Sequence, residues 1–319
     1  MFGSTTWDSG SVKRVPWEGV GKDLDAPETA ADAMAQAGLD WEVETKDLFL
    51  SNDGDLGTKI THKAVVRSDN DAVLGVVGPR WTPYQNTSAF KWFEPFVENK
   101  EAVFSTAGCL KKGAIVWIQA KLNRDPSEIV AGDLVEKYLL LSNAHDGKLS
   151  VRVGFTPQRI ICINTLHMAH TSTSSKLVRV RHSANVQNNV DSLQDVINAA
   201  DADFEATAQQ YRFLASRQIN SQDLDRYVKI VLGKEKIAND DLATRTKNQM
   251  QEIIGLVESG LGNDAPNVSG TWWAAYNGVT EWLTHERGRN VDNRLTSLWF
   301  GPNAGINKLA FESAVAMAA

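Results

Sequence analysis

The stretch KYLLLSNAHDGKLS, residues 137–150, runs from an apolar segment into a polar knot and out again. Its centre reads as a turn, because Asn143 and Asp146 carry side chains that bond nearby backbone amides and Gly147 supplies the positive φ of a tight hairpin. The flanking segments EKYLLLSNA and KLSVRVGFT are rich in apolar and β-branched residues, so the turn joins two antiparallel strands. Upstream, the Lys111-Lys112-Gly113 turn joins AVFSTAGCL to GAIVWIQAKL, and RDPSEIVAGD leads on to the strand that enters the knot. The result is a β-meander. A turn does not by itself demand polar groups at Asn143, His145 and, further on, Asn164, so these are candidate site residues.

Toward the amino terminus, WEVETKDLFL, HKAVVRS and AVLGVVG read as strands, the first two parted by the hairpin loop SNDGDLG. PETAADAMAQAG reads as a helix stopped by Gly38. A short helix capped by Thr87 or Ser88 directs Phe90, Phe93 and Phe96 toward a core, bent by Pro95. RIICINTLHMAHT is a buried strand or helix, which its periodicity does not decide.

Beyond it the pattern turns helical. Val186, Val190, Leu193, Val196, Ile197, Ala200, Phe204 and Tyr211 recur at mostly three- and four-residue steps, predicting one long amphipathic helix capped by Ser183. Ser221 and Gly233 bracket a second helix, a third spans about 240–260, TWWAAYNGVTEWLTHE is a fourth and AFESAVAMA a short last one. The fold class is α+β: an antiparallel β-meander flanked by helices, with a mostly helical C-terminal region. The expected divisions are 1–60, an N-terminal segment with a short helix and first strand; 61–182, the α+β core; and 183–319, the helical region.

A chain of 319 residues, 42% hydrophobic and 23% charged, buries a sizeable core. It holds no apolar run long enough to span a membrane and no signal-peptide pattern, so a cytoplasmic protein is expected. The motif G-x-x-x-x-G-K-[ST] is absent, as is G-x-G-x-x-G opening a helix after a strand, so no nucleotide-driven chemistry and no cofactor is expected. Cys162, His167 and His170 form the one close cluster of metal-ligating types, without a second CxxC-type pair or an HExxH, and no metal is assigned. Cys162 with His145 and Asp146 or Asn164 supplies the residue types of a cysteine hydrolase. That is the minor enzymatic alternative to a non-enzyme, since a thiol inside the apolar run IICIN has a raised pKa and little access.

Charge is the most informative feature. The net charge is −6, yet residues 145–182 hold Lys148, Arg152, Arg159, Lys176, Arg179 and Arg181 against Asp146 alone, a window of +5 that leaves −11 elsewhere. Lys148 and Arg152, like Arg179 and Arg181, are evenly spaced and point to one side of an extended chain. With Arg159 and Lys176 flanking them, these six cations form a groove suited to phosphates, which Asn143, His145 and Asn164 help to position. The bland alternative is a solvated face that balances acidic helices.

Along most of its length, through VPWEGVG, AGLDWEV, LGVVGPRWTPYQN, STAGCLKKGAIVWIQAKL, LLLSNAHDGKLSVRV, PQRIICINTL, VRVRHS and GTWWAAYNGVTEWLTHERG, the sequence resembles the phage/plasmid-like protein family, domain of unknown function 932. That resemblance implies a protein borne by phages, prophages or plasmids. The order of helix, meander, helix and long helices is also similar to phage single-strand annealing proteins of the Redβ and Erf type, which pair DNA strands without ATP as rings or filaments. The expectation is therefore a homo-oligomeric, single-stranded nucleic-acid-binding protein, acting on DNA or RNA, in DNA single-strand annealing and recombination. The alternative is a non-catalytic phage interaction protein for counter-defence or host takeover, suggested by Trp272, Trp273, Trp282, Trp299 and Phe300.

Overall fold

The computed structural model describes residues 15–52, 55–166, 178–193 and 196–319. In chain order the first half gives β1 (Gly21–Asp23), α1 (Ala30–Ala37), β2 (Val43–Asn52), β3 (Asp55–Arg67), β4 (Val73–Val77), α2 (Asn86–Lys91) and α3 (Glu94–Glu98). The meander follows as β5 (Ala102–Leu110), β6 (Ile115–Leu122), β7 (Ser127–Val130), β8 (Asp133–Ala144) and β9 (Val151–Arg159), then two short strands, β10 (Asn164–Thr165) and β11 (Val178–Val180). The rest is helical: α4 (Val186–Asp191), α5 (Val196–Ala215), α6 (Ser221–Val231), α7 (Thr244–Ser259), α8 (Trp272–Glu281), α9 (Val291–Phe300) and α10 (Pro302–Ala318). The expected α+β class holds.

The main sheet runs β1-β5-β6-β8-β9, antiparallel throughout, with β10 and β11 both pairing with β9 and β7 pairing with the start of β8. Strand alternation sends Val116, Ile118 and Ala120 of β6 to one face and Trp117 and Gln119 to the other. Phe90 of α2 and Phe93, between α2 and α3, reach Phe104 of β5 with ring centroids 6.2 and 5.7 Å apart. On the opposite face Trp117 sits between Trp17 at 6.1 Å and Trp299 of α9 at 5.1 Å. Both faces are covered, which is why IVWIQAKL is buried almost end to end. Close approach of β1 depends on Gly108: a Cβ there would lie 2.2 Å from the Val20 carbonyl oxygen.

A second sheet, β2-β3-β4, packs against the knot read from the sequence. Gly147 adopts φ 75°, and Asp146 Oδ1 accepts a bond from the Lys148 amide at 2.9 Å, as a side-chain-stabilised turn requires. Gly75 of β4 lies so near this turn that a Cβ would come within 2.7 Å of Asp146 backbone atoms.

The helical layer is bound to the sheet by Arg159. Its Nε donates to Asp133 Oδ1 at 2.8 Å and its Nη2 to Asp133 Oδ2 at 2.7 Å, while Nη1 donates to Asn263 Oδ1 at 2.8 Å and Nη2 to the Gly262 carbonyl at 2.9 Å. Trp273 of α8 donates its indole N–H to the same Asp133 carboxylate at 2.8 Å. One guanidinium thus joins β9, β8, the α7–α8 loop and α8.

Several expectations are corrected. The single helix through Val186 and Tyr211 is two, α4 and α5; α4 is preceded by Asn185 at the cap position, not Ser183, and makes no side-chain cap bond. An apolar period survives a break because both helices bury their stripes against one core. RIICINTLHMAHT is neither of its two options over its described part: β9 ends at Arg159, Ile163 turns at φ 53°, and Asn164 and Thr165 pair back on Arg159 and Gln158. The rest of that segment, with His167 and His170, lies outside the described residues. The expected boundary at residue 60 falls inside β3, and the last helix begins at Pro302, preceded by an unforeseen α9.

Arg159→Met leaves the Asp133 carboxylate buried without its cation and is expected to lower stability by about 3–5 kcal/mol. Adding Asp133→Leu should restore much of it, as read from urea denaturation of both variants.

Candidate nucleic-acid interface

The tract 145–182 is divided by the fold. Arg152 of β9 and Arg179 of β11 stand directly opposite each other in register, Val153 pairing with Val178 and Val151 with Val180. Directly paired residues share a face, so the two arginines project from the same side of the β9–β11 pair. Arg152 is buried to 8% exposure, with its guanidinium 4.9 Å from the Phe300 ring centroid and its Nε without a hydrogen-bond partner. Burial lowers its pKa, and the neighbouring Arg179 charge lowers it further. Neither arginine has an ion pair among the described residues. Arg179 and Arg181 are exposed. Lys148, with 77% of its side chain exposed, projects from the turn and makes a distant contact, 3.8 Å, to Asp146.

Other predicted site residues are corrected. Arg159 is 0% exposed and saturated by Asp133, Asn263 and backbone carbonyls, so it cannot reach a phosphate from the surface. By alternation it also faces the other side of β9 from Arg152. Asn143 and His145 are buried and serve the packing of the chain: Asn143 Nδ2 donates to the Tyr84 carbonyl, and His145 Nε2 meets Asn86 Oδ1 at 3.0 Å. Asn86 donates its own amide N–H groups to the Leu39 and Trp41 carbonyls, which leaves Oδ1 as acceptor and assigns the His145 proton to Nε2. Asn164 is buried as well, with neither amide atom hydrogen-bonded among the described residues. Lys176 lies outside the described residues.

The cysteine triad does not assemble. Cys162 follows Arg159 at the Val135 end of β8, whereas His145 follows Ala144 at its other end, about 30 Å away at roughly 3.3 Å per residue. Burial pushes the Cys162 thiol up to about 11, against the opposing pull of Arg159. Among the described residues no group of three His, Cys, Asp or Glu side chains is placed to hold a metal ion.

Two neighbouring clefts extend the arginine pair across α9. The smaller, about 240 Å³, lies between Lys111, Asp146, Lys148, Thr296 and Phe300. Lys111 and Lys112 are both in the left-handed region, φ 52° and 57°, a costly state held here by the bond from the Lys111 amide to Asp292. The larger, about 780 Å³, is bounded by Arg245, Asn248, Arg287, Arg289 and Asn303. Asn293, Ser297 and Pro302 line both, forming the ridge between them. Sequence reading missed this second basic group; its signal was the Arg287-Gly288-Arg289 punctuation after the tryptophan-rich helix. A third cavity, about 400 Å³, is lined by Asp23, Thr106, Glu136, Tyr138 and Gln158, but Glu136 already accepts from Lys121 and from the Tyr138 hydroxyl.

Sheet, arginine pair and helical ridge define an α+β chain with a basic ledge at the edge of its main sheet. The chain belongs to the family described as Domain of unknown function (DUF932), whose model matches residues 73–299. No curated protein and no solved structure matches it.

Two outcomes are expected. His145 is held neutral by burial, its pKa lowered to about 3 chiefly by desolvation. The unfolded chain therefore binds the extra proton between about pH 6.5 and 3, so stability is full above about 6.5 and falls by up to about 1.4 kcal/mol per unit as pH drops through that window. His145→Asn should flatten this dependence in thermal melts. Arg179→Gln removes a like-charge neighbour and should leave the unfolding free energy from urea denaturation unchanged or raise it, by at most about 1 kcal/mol.

Proposed function

We propose that this protein binds single-stranded nucleic acid through its phosphates and, as a homo-oligomer, promotes ATP-independent pairing of phage- or plasmid-borne DNA strands. The observation that carries this reading is the Arg152–Arg179 cross-strand pair, two cations held together without a carboxylate partner among the described residues. Like charges placed opposite each other destabilise a sheet, and a bound polyanion relieves that repulsion. Arg181 and Lys148 extend the pair along the surface, and Phe300 beneath Arg152 fixes its guanidinium by cation–π contact. Such a site tracks a backbone and leaves base edges free to meet a complement.

The interaction-protein reading loses its original support, since Trp272, Trp273, Trp282 and Trp299 are buried in the core. It gains another: Phe49, Leu50, Leu56, Val73 and Val76 of the second sheet are exposed, Leu56 to 78%. Those side chains favour contact with another protein surface. No helix among the described residues is long and apolar enough to cross a membrane.

Binding to a labelled oligothymidylate between about 50 and 300 mM salt should weaken about 150-fold, a slope of about −2.8 for about four phosphate contacts. Mass in solution should rise to a large assembly when the oligonucleotide is added. A flat salt response, or a mass unchanged by DNA, rejects the proposal and leaves the protein-contact reading.

A further inference from the structure

The cleft of about 780 Å³ between α7, the end of α8 and the start of α10 repeats the chemistry of the Arg152 site with different residues. α8 ends in a π turn, Trp282–Glu286, a helix irregularity that recurs at functional sites. The turn delivers Arg287 over the Trp282 ring, 5.2 Å from its centroid. Arg287 Nη1 donates to Asn303 Oδ1, and Asn303 is itself held by the bond from its amide to Ser297 Oγ at 3.1 Å. The other guanidinium N–H groups of Arg287 have no partner among the described residues. Trp282 is fixed from behind by its indole bond to Glu252 at 3.1 Å, which turns one of the two cleft carboxylates to the wall.

Across the cleft, Arg245, Asn248, Gln249 and Glu252 fall on one face of α7. Arg245 stands in the first turn of that helix, where the cap residue Ala243 makes no side-chain bond. A cation at the positive end of a helix is disfavoured, and its tolerance there adds to a local positive potential. The charge that Arg287 feels most after its own burial is that of Arg245, and both effects depress its pKa. Arg245, Arg287 and Arg289 outnumber Glu252 and Glu286, so the cleft is net positive.

We propose that this cleft is a binding site for the phosphate of a nucleotide, with Arg245 and Arg287 as its clamp and Asn248 and Asn303 as neutral donors. It rests on the nucleic-acid reading and deepens it. Asn293, Ser297 and Pro302 line both this cleft and the one that holds Phe300, so the two sites are separated by the width of α9, about 10 Å with its side chains. About three stacked nucleotides at roughly 3.4 Å each cover that span, so one strand engages both arginine pairs over the Asn293–Ser297 ridge. The cleft volume also suits a free mononucleotide.

The test compares wild type with Arg245→Gln, Arg287→Gln and the separate Arg152→Gln/Arg179→Gln variant, each first shown to melt like wild type. Oligothymidylate is titrated by anisotropy at several salt concentrations, and dAMP and inorganic phosphate by calorimetry. Either cleft substitution is expected to weaken oligonucleotide binding about 5- to 10-fold, make the salt slope about 0.7 shallower, and abolish the dAMP heat. Unchanged oligonucleotide affinity and slope in both cleft variants overturn the inference while the Arg152–Arg179 reading stands. Binding of dAMP that is lost in the cleft variants, in a protein that fails to bind the oligonucleotide, upholds the cleft as a mononucleotide site and rejects the strand reading. No dAMP heat in wild type with unaltered slopes in the cleft variants rejects the cleft.

Discussion

The Arg159–Asp133 ion pair is the constraint on which the architecture depends. Two charges withdrawn from water are costly, and that cost is offset only when the remaining donors and lone pairs are filled. Here they are filled by the helical half of the chain: Asn263 and Gly262 from the α7–α8 loop take the guanidinium, and Trp273 from α8 gives its N–H to the carboxylate. The sheet edge therefore cannot satisfy its own buried charge without α8 in place. That dependence fixes where the helical layer sits, and with it where α9 brings Phe300 to Arg152.

Seated this way, the helical layer leaves two arginine pairs on opposite sides of α9, Arg152 with Arg179 and Arg245 with Arg287. Each has one member lying on an aromatic ring, Phe300 or Trp282, with its pKa lowered by burial and by the partner arginine. A stabilising surface network would alternate signs; these pairs do not. Self-repulsion built into a fold is intelligible when a ligand supplies the missing negative charge, and a polyphosphate strand supplies it at regular intervals.

The small sheet is attached by a different device. The knot at 143–147 turns the chain, but His145 and Asn143 also reach into the segments around Asn86, Trp41 and Tyr84, and Asp146 packs on Gly75. Polar residues that exceeded the needs of a turn were thus explained by packing: they satisfy buried backbone and amide groups where two sheets meet. A polar side chain in a turn carries the same sequence signal whether it faces a ligand or another part of its own chain.

The sequence by itself determined the meander, its turns at Lys111–Gly113 and Asp146–Gly147, most helices though not their caps, since Gln85 rather than Thr87 or Ser88 precedes α2 and Asn220 precedes α6, and the uneven distribution of charge. These are local matters of period, turn chemistry and composition. Only the tertiary structure decided that Arg159 is buried while Arg152 meets Arg179, that the apolar period through Val186 and Tyr211 breaks into two helices, and that Arg245 and Arg287 share a cleft. The reason is physical: an arginine has the same sequence signature in a buried ion pair as at a surface. Its role is set by whether a carboxylate distant in the chain arrives beside it, and that is a property of packing.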